Sequence, residues 1–147
     1  MTRASSVMIA ITYGALVIAA WGFTSLVRDE DVMHYSDAGP LLGPAMALAA
    51  TLVVGGWVAR AGRVGGVGVS AVGAAASVWF AMLLVGALGY TLTRGSLAWL
   101  LLFAGSYAAS PVILVPAIIA GVLVGVVAAL ARRSLQAKPF ARPDPDE

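Results

Sequence analysis

The feature that most constrains this chain is a series of long apolar runs without a charged residue. Residues 7–27 would extend roughly 30 Å as a helix, which is one thickness of a bilayer's hydrocarbon core. Of the 147 residues, 61% are hydrophobic and 11% are charged, whereas soluble domains are about 45–50% apolar and about 25% charged. Backbone groups in lipid must be hydrogen-bonded internally, and the runs are continuous rather than alternating, which excludes a membrane β-barrel.

We therefore predict an all-α, polytopic membrane protein with four transmembrane helices in a single domain, residues 1–133. The helices are expected at about 7–27, 40–59, 67–92 and 111–131. Pro40 and Pro44 fall in the first turns of the second helix, where a missing N–H costs least. Ser110 followed by Pro111 is typical of a capped helix start, and it places the beginning of the fourth helix.

One apolar segment does not fit this scheme of four helices. Residues 96–109 read SLAWLLLFAGSYAA, and they are too few to cross a bilayer as a helix. The segment is predicted as an interfacial helix or as a re-entrant arm packed against protein. The alternative is a single long, tilted helix that is kinked at Pro111 and Pro116.

The distribution of basic residues predicts the orientation of the chain. Seven Lys or Arg residues fall on the side of the N-terminus and two on the other side, so the positive-inside rule places both termini in the cytoplasm. The loop of residues 28–39 is then outside the cytoplasmic membrane. Residues 134–147 contain three prolines and mixed charges, and we predict a disordered cytoplasmic tail.

The polar stretch RDEDVMHYSDAGP, residues 28–40, contains the only histidine of the chain. Asp29, Asp31, His34 and Asp37 are candidate metal ligands, because carboxylates bind Ca²⁺ or Mg²⁺ and imidazole binds Zn²⁺. Their spacing matches no known metal loop. We favour the simpler interpretation of a solvated outer loop, and we expect no metal and no other cofactor.

No Asp, Glu, Lys, Arg or His lies inside any of the four predicted helices. Ion-coupled transport normally requires ionisable groups at membrane depth, so their absence argues against a self-sufficient coupled transporter. The chain also has no cysteine, and it lacks a Ser-His-Asp set and a phosphate-binding glycine loop in its required context. We expect no enzymatic activity and no nucleic-acid partner.

Small residues recur at helical spacing in two of the predicted helices. Gly43, Ala47 and Gly55 lie on one face of the second helix, and Gly121 and Gly125 form a GxxxG motif in the last. Small residues allow helix backbones to approach closely in membranes. These five residues are a candidate helix-packing interface, either within one molecule or with a partner.

Around SDAGPLLGPAMALAA, residues 36–50, the chain resembles a group of small actinobacterial membrane proteins of unknown function. The shared feature is an acidic outer loop that leads into a helix start containing glycine and proline. The resemblance covers most of residues 5–133. It implies a four-helix integral membrane protein without an assigned activity, and it transfers no catalytic residue.

Two functions remain open from the sequence. The first is a non-enzymatic accessory, structural or assembly protein that acts through helix–helix association. Its expected partners are the lipid bilayer and either another membrane protein or further copies of itself. The second is a small transporter or channel component, because irregular backbone at membrane depth often lines a cavity.

Overall fold

A computed structural model describes residues 3–28, 41–61, 65–96 and 98–136, and in these ranges all regular structure is helical. Four of the five helices are long and apolar enough to cross a membrane, and a short apolar helix precedes the last. The predicted fold class is therefore confirmed. The helices are α1 (Arg3–Arg28), α2 (Leu42–Arg60), α3 (Val67–Arg94), α4 (Ala98–Tyr107) and α5 (Pro111–Gln136).

Helix α3 lies at the centre of the bundle and packs against α2, α4 and α5. Its buried residues recur every three or four positions, as expected for one continuous helical face. Side chains from all five helices meet in one core, whose largest fully buried members are Tyr13, Tyr90, Phe103, Met46 and Met82.

Glycine allows the neighbouring helices to approach each other closely. A Cβ atom on Gly14 of α1 would lie 3.1 Å from the hydroxyl of Thr51 in α2. A Cβ on Gly73 of α3 would lie 2.6 Å from the Trp57 ring, and the indole N–H of Trp57 donates to the Ser77 hydroxyl at 3.2 Å. Helix α2 is thus fixed between α1 and α3 by backbone proximity and one polar contact.

Helix α4 runs antiparallel to α3 and lies directly against it. Trp99 lies beside Tyr90, Phe103 beside Gly86, and the carbonyl of Ala108 beside the indole of Trp79. Helix α5 continues in the same direction, since Gly121 packs on Ala71 and Ala75 further down α3. The short apolar helix predicted before the last long helix is therefore present, and it runs in the same direction as α5 along α3.

Helix α5 extends to Gln136, beyond the end expected at Ala131. The remaining residues of the predicted tail, 137–147, lie outside the described part of the chain. Residues 29–39 of the predicted outer loop, 28–39, also lie outside it.

Candidate functional site

The break between α4 and α5 lies well inside the bundle. Trp79, whose indole reaches the break, precedes the end of α3 at Arg94 by 15 positions, or roughly 20 Å along a helix. The Ser110 carbonyl accepts from the amides of Ile113 and Leu114, both at 3.0 Å, and so starts the α5 hydrogen-bond pattern. The chain is thus interrupted and restarted at the depth of the core.

A break in a helix leaves carbonyl groups without their usual amide partner. The Ala108 carbonyl would normally bond the amide of Val112, but that amide faces the Ser110 hydroxyl at 3.4 Å. The indole N–H of Trp79 donates to the Ala108 carbonyl at 2.9 Å. Helix α3 therefore supplies the donor that the break removes.

A second interruption is the proline within α5. Pro116 has no N–H, so the carbonyl of Val112, four residues earlier, loses its helical partner. The indole N–H of Trp21 in α1 donates to this carbonyl at 2.9 Å. The buried Tyr13 hydroxyl donates to the Pro116 carbonyl at 3.1 Å. Two donors on α1 therefore hold the proline-containing turn of α5.

An aromatic cluster along the short helix holds α4 on α3. The Phe103 and Tyr107 rings stack at 4.5 Å between centroids, and Tyr90 contacts Trp99 edge-on at 5.6 Å. The Arg94 guanidinium lies 5.7 Å from the Tyr90 centroid and 5.1 Å from that of Trp99. These distances are within the range of cation–π attraction, so Arg94 closes the cluster at the end of α3.

The polar side chains described above donate to backbone carbonyls or to a side chain within the bundle. Within the described residues, no buried side-chain nitrogen or oxygen lacks a hydrogen-bond partner. The same residues contain no group of three or more potential metal ligands. The arrangement of these groups therefore supports a folded scaffold.

An apolar groove runs along the outer side of the α3–α5 contact. Its floor contains Gly121 and Gly125, and its volume is about 570 Å³. Val122 and Val126 form part of its walls and are largely exposed. The groove is lined by Val67, Ala71, Val72, Ala75, Ile118, Gly121, Val122, Gly125, Val126 and Ala129.

The glycines of the predicted packing interface contact other helices of the same molecule. A Cβ on Gly121 would lie 3.1 Å from the Ala71 carbonyl oxygen, and one on Gly125 would lie 3.2 Å from the Ala71 Cβ. A Cβ on Gly55 would lie 3.5 Å from Ala10 of α1.

The other predicted residues are the rest of the packing interface and the candidate metal ligands. Ala47 is buried on α2, and Gly43 lies half-buried in its first turn. The candidate metal ligands Asp29, Asp31, His34 and Asp37 lie outside the described residues.

Sequence reasoning missed the indole donors Trp21 and Trp79. Their partners lie 91 and 29 positions away in the chain, and apolar periodicity gives no information about such pairs. One signal was present, because Pro116 necessarily frees the carbonyl of Val112. That carbonyl required a donor from elsewhere in the bundle, and a tryptophan indole is one side chain that can supply it.

Fold and site together define a helical bundle whose four long apolar helices are compatible with a multi-pass membrane protein. The chain belongs to a family of unknown function, DUF6121, whose profile matches residues 2–146. The resemblance seen in the sequence is confirmed in its coarser part, a family without an assigned function. Neither the curated proteins nor the solved structures gave a match.

Proposed function

We propose that this chain is an integral protein of the cytoplasmic membrane with a non-enzymatic accessory or assembly role, acting through helix–helix association. Both termini are placed in the cytoplasm and the loop of residues 28–39 outside. This orientation is supported by Arg60, Arg132 and Arg133, which lie at the ends of α2 and α5. These two helices both run antiparallel to α3, so their ends lie on the same side of the bundle.

The observation that carries the proposal is the exposure of α1. Only 11% of the most apolar 18-residue stretch of α1 is buried in the bundle, against 50% of the corresponding stretch of α5. Ala15, Ala19 and Gly22 follow each other at helical spacing on its exposed side. A Cβ on Gly22 would meet no atom within 4 Å.

We call Ala15, Ala19 and Gly22 the α1 small face. Lipid tails and leucine side chains are equally apolar, so helices associate in membranes through close backbone packing at small residues. The glycine faces of α2 and α5 are occupied inside the bundle, whereas the α1 small face is open. It is the surface at which we place a partner helix.

The absence of enzymatic activity is supported by the use of the polar groups. In the described part of the chain, Tyr13, Trp21 and Trp79 donate to backbone carbonyls, and Trp57 donates to Ser77. Groups engaged in this way stabilise the fold and are not available as acids, bases or nucleophiles.

A transporter or channel component is the second candidate, because the break at residues 108–110 places irregular backbone deep in the bundle. In transporters such backbone lines a cavity that receives the ion or substrate. Here the carbonyls at both interruptions accept hydrogen bonds from Trp79, Trp21 and Tyr13. Because these carbonyls already bond to side chains of the same chain, we favour the accessory role over transport.

The test is extraction at native expression level into nanodiscs, followed by native mass measurement and mass spectrometry of co-purifying proteins. We expect a stoichiometric partner protein, whereas a homo-oligomer without another protein would favour the transporter or channel component. Ala19→Leu is expected to lower the recovery of the partner protein roughly tenfold, which corresponds to about 1.4 kcal/mol. The matched control is Ala45→Leu, at an exposed alanine of α2. A lone monomer in the wild-type extract contradicts the proposal.

A further inference from the structure

The α3–α5 groove offers a second surface, separate from the α1 small face. We propose that it binds an acyl chain of an anionic phospholipid, whose phosphate group is held by Arg132 and Arg133. The inference rests on the shape of the groove, on its volume and on the charge at one end, and it is independent of the association proposed for α1.

The floor of the groove is formed where glycine lets α5 approach α3 closely. Gly121 and Gly125 are buried against α3, and a Cβ on either would lie 3.1–3.2 Å from Ala71. The walls rise on both sides, since Val72 is 70% exposed on α3 and Val122 is 63% exposed on α5. The result is a shallow surface groove lined by apolar atoms.

The dimensions of the groove suit a single extended chain. The groove is shallow and open along one side, and its volume is about 570 Å³. Residues 118–129 of α5, which border it, span roughly 16 Å at about 1.5 Å per residue. An extended hydrocarbon chain can lie along this length, whereas a helix, about 10–12 Å across with its side chains, would rest on the exposed valines at the rim.

The positive charge at one end of the groove determines which lipid headgroup we expect there. The α5 residues that line the groove are 118, 121, 122, 125, 126 and 129, and this helical stripe continues to Arg132 and Arg133 in the next turn. Ala129 is the last lining residue, so the two guanidinium groups follow directly after the apolar part. Guanidinium groups bind phosphate oxygens in a bidentate manner.

No acidic side chain competes for these arginines in the described part of the chain, because residues 3–28, 41–61, 65–96 and 98–136 contain no aspartate or glutamate. The half-buried position of Arg132 and the exposed position of Arg133 place one charge close to the bundle and one further out. A phosphate at the membrane surface satisfies both, and a zwitterionic headgroup does so less well because it carries its own cation.

The experiment is native mass spectrometry of the full chain after delipidation and titration with phosphatidylglycerol or phosphatidylcholine of the same acyl chains. We expect one phosphatidylglycerol to be retained, with an affinity at least tenfold above that of phosphatidylcholine. Arg132→Gln combined with Arg133→Gln is expected to remove this preference. The control is Arg60→Gln, an arginine at the same end of the bundle but on α2.

A second variant tests the groove itself. Val126→Trp fills the groove from its wall and is expected to weaken phosphatidylglycerol binding at least tenfold. Leu130→Trp places the same ring on exposed α5 surface outside the lining and is expected to leave binding unchanged. Equal melting temperatures of the lipid-free variants show that folding is unaffected.

Three results would overturn the inference. The first is equal retention of the two lipids by the wild-type protein. The second is unchanged binding in Val126→Trp. The third is a photo-crosslinker at position 122 that labels a protein instead of a lipid, since it would show that a helix occupies the groove.

Discussion

The indole N–H of Trp21 lies 2.9 Å from the carbonyl oxygen of Val112, to which it donates a hydrogen bond. Val112 is the residue four positions before Pro116, and proline has no N–H to return to that carbonyl. The first helix of the chain thus replaces a hydrogen bond that the last helix cannot form. This relationship gives a direct test of whether the bundle depends on its tryptophans.

Trp21→Phe is expected to lower the free energy of unfolding by about 1–2 kcal/mol, because it leaves a buried carbonyl without a donor. In a Pro116→Ala background the loss should be smaller, since the restored amide at 116 bonds Val112. The double-mutant cycle is measured by reversible denaturation in detergent. Trp57→Phe, whose partner is Ser77, should cost the same in both backgrounds. Equal costs for Trp21→Phe would contradict the assignment.

Trp79→Phe should loosen the break between α4 and α5. It removes the donor to the Ala108 carbonyl while retaining an aromatic ring. Loss of about 1.4 kcal/mol would raise local opening about tenfold. Hydrogen–deuterium exchange of the peptide covering residues 104–110 measures this opening. The assignment fails if exchange in that peptide rises no more than it does in Trp57→Phe.

Two glycine-to-alanine substitutions should have opposite effects. Gly121→Ala places a Cβ 3.1 Å from the backbone oxygen of Ala71 and should destabilise the bundle by about 1–3 kcal/mol. Gly22→Ala meets no atom within 4 Å and should be neutral or stabilising by up to about 1 kcal/mol, because alanine favours a helix. The melting temperatures of the two variants are compared by thermal unfolding. Equal values would refute the packing described for α5.

The attachment of α4 depends on the absence of a side chain at position 86. A Cβ on Gly86 would lie 2.5 Å from the Phe103 ring, which is buried and stacked on Tyr107. Gly86→Ala should therefore cost about 1–3 kcal/mol. Phe103→Leu in the same chain should recover part of that loss by making room. Strictly additive effects of the two substitutions on the unfolding free energy would argue against this contact.

The proposed orientation is tested with single cysteines, which report cleanly because the chain has none of its own. Ser96→Cys should react with a membrane-impermeant maleimide in intact cells. Ser134→Cys should react only after permeabilisation, because Arg132 and Arg133 next to it favour the cytoplasmic side. The reverse labelling pattern would show that the orientation is opposite to the one proposed.

The sequence alone predicted the four long helices, because the length of an uncharged run must match the thickness it crosses. It did not predict how residues 96–109 pack. That outcome depends on Phe103 fitting the space at Gly86 and on Trp79 reaching Ala108, which are contacts between segments separated along the chain. Periodicity describes one helix at a time and contains no information about such pairs.

The small-residue motifs were predictable as packing surfaces, but their partners were not. Gly121 and Gly55 face α3 and α1 of the same molecule, whereas Gly22 was not singled out and is the glycine of α1 left in open space. A GxxxG spacing shows that a close approach is sterically allowed. Which helix makes that approach is decided by the whole arrangement.

The shortness of α4 affects how the chain reaches its final form. A helix of 10 residues is too short to cross the hydrocarbon core of a bilayer by itself, so its position depends on the surface against which it packs. The surface that α4 packs against is on α3, which is synthesised before α4. The side chains that donate to the interruption in α5 are on α1, which is synthesised before α3. Synthesis from the N-terminus therefore delivers each irregular segment to a surface that already exists, and the least regular part of the chain is the last to be assembled.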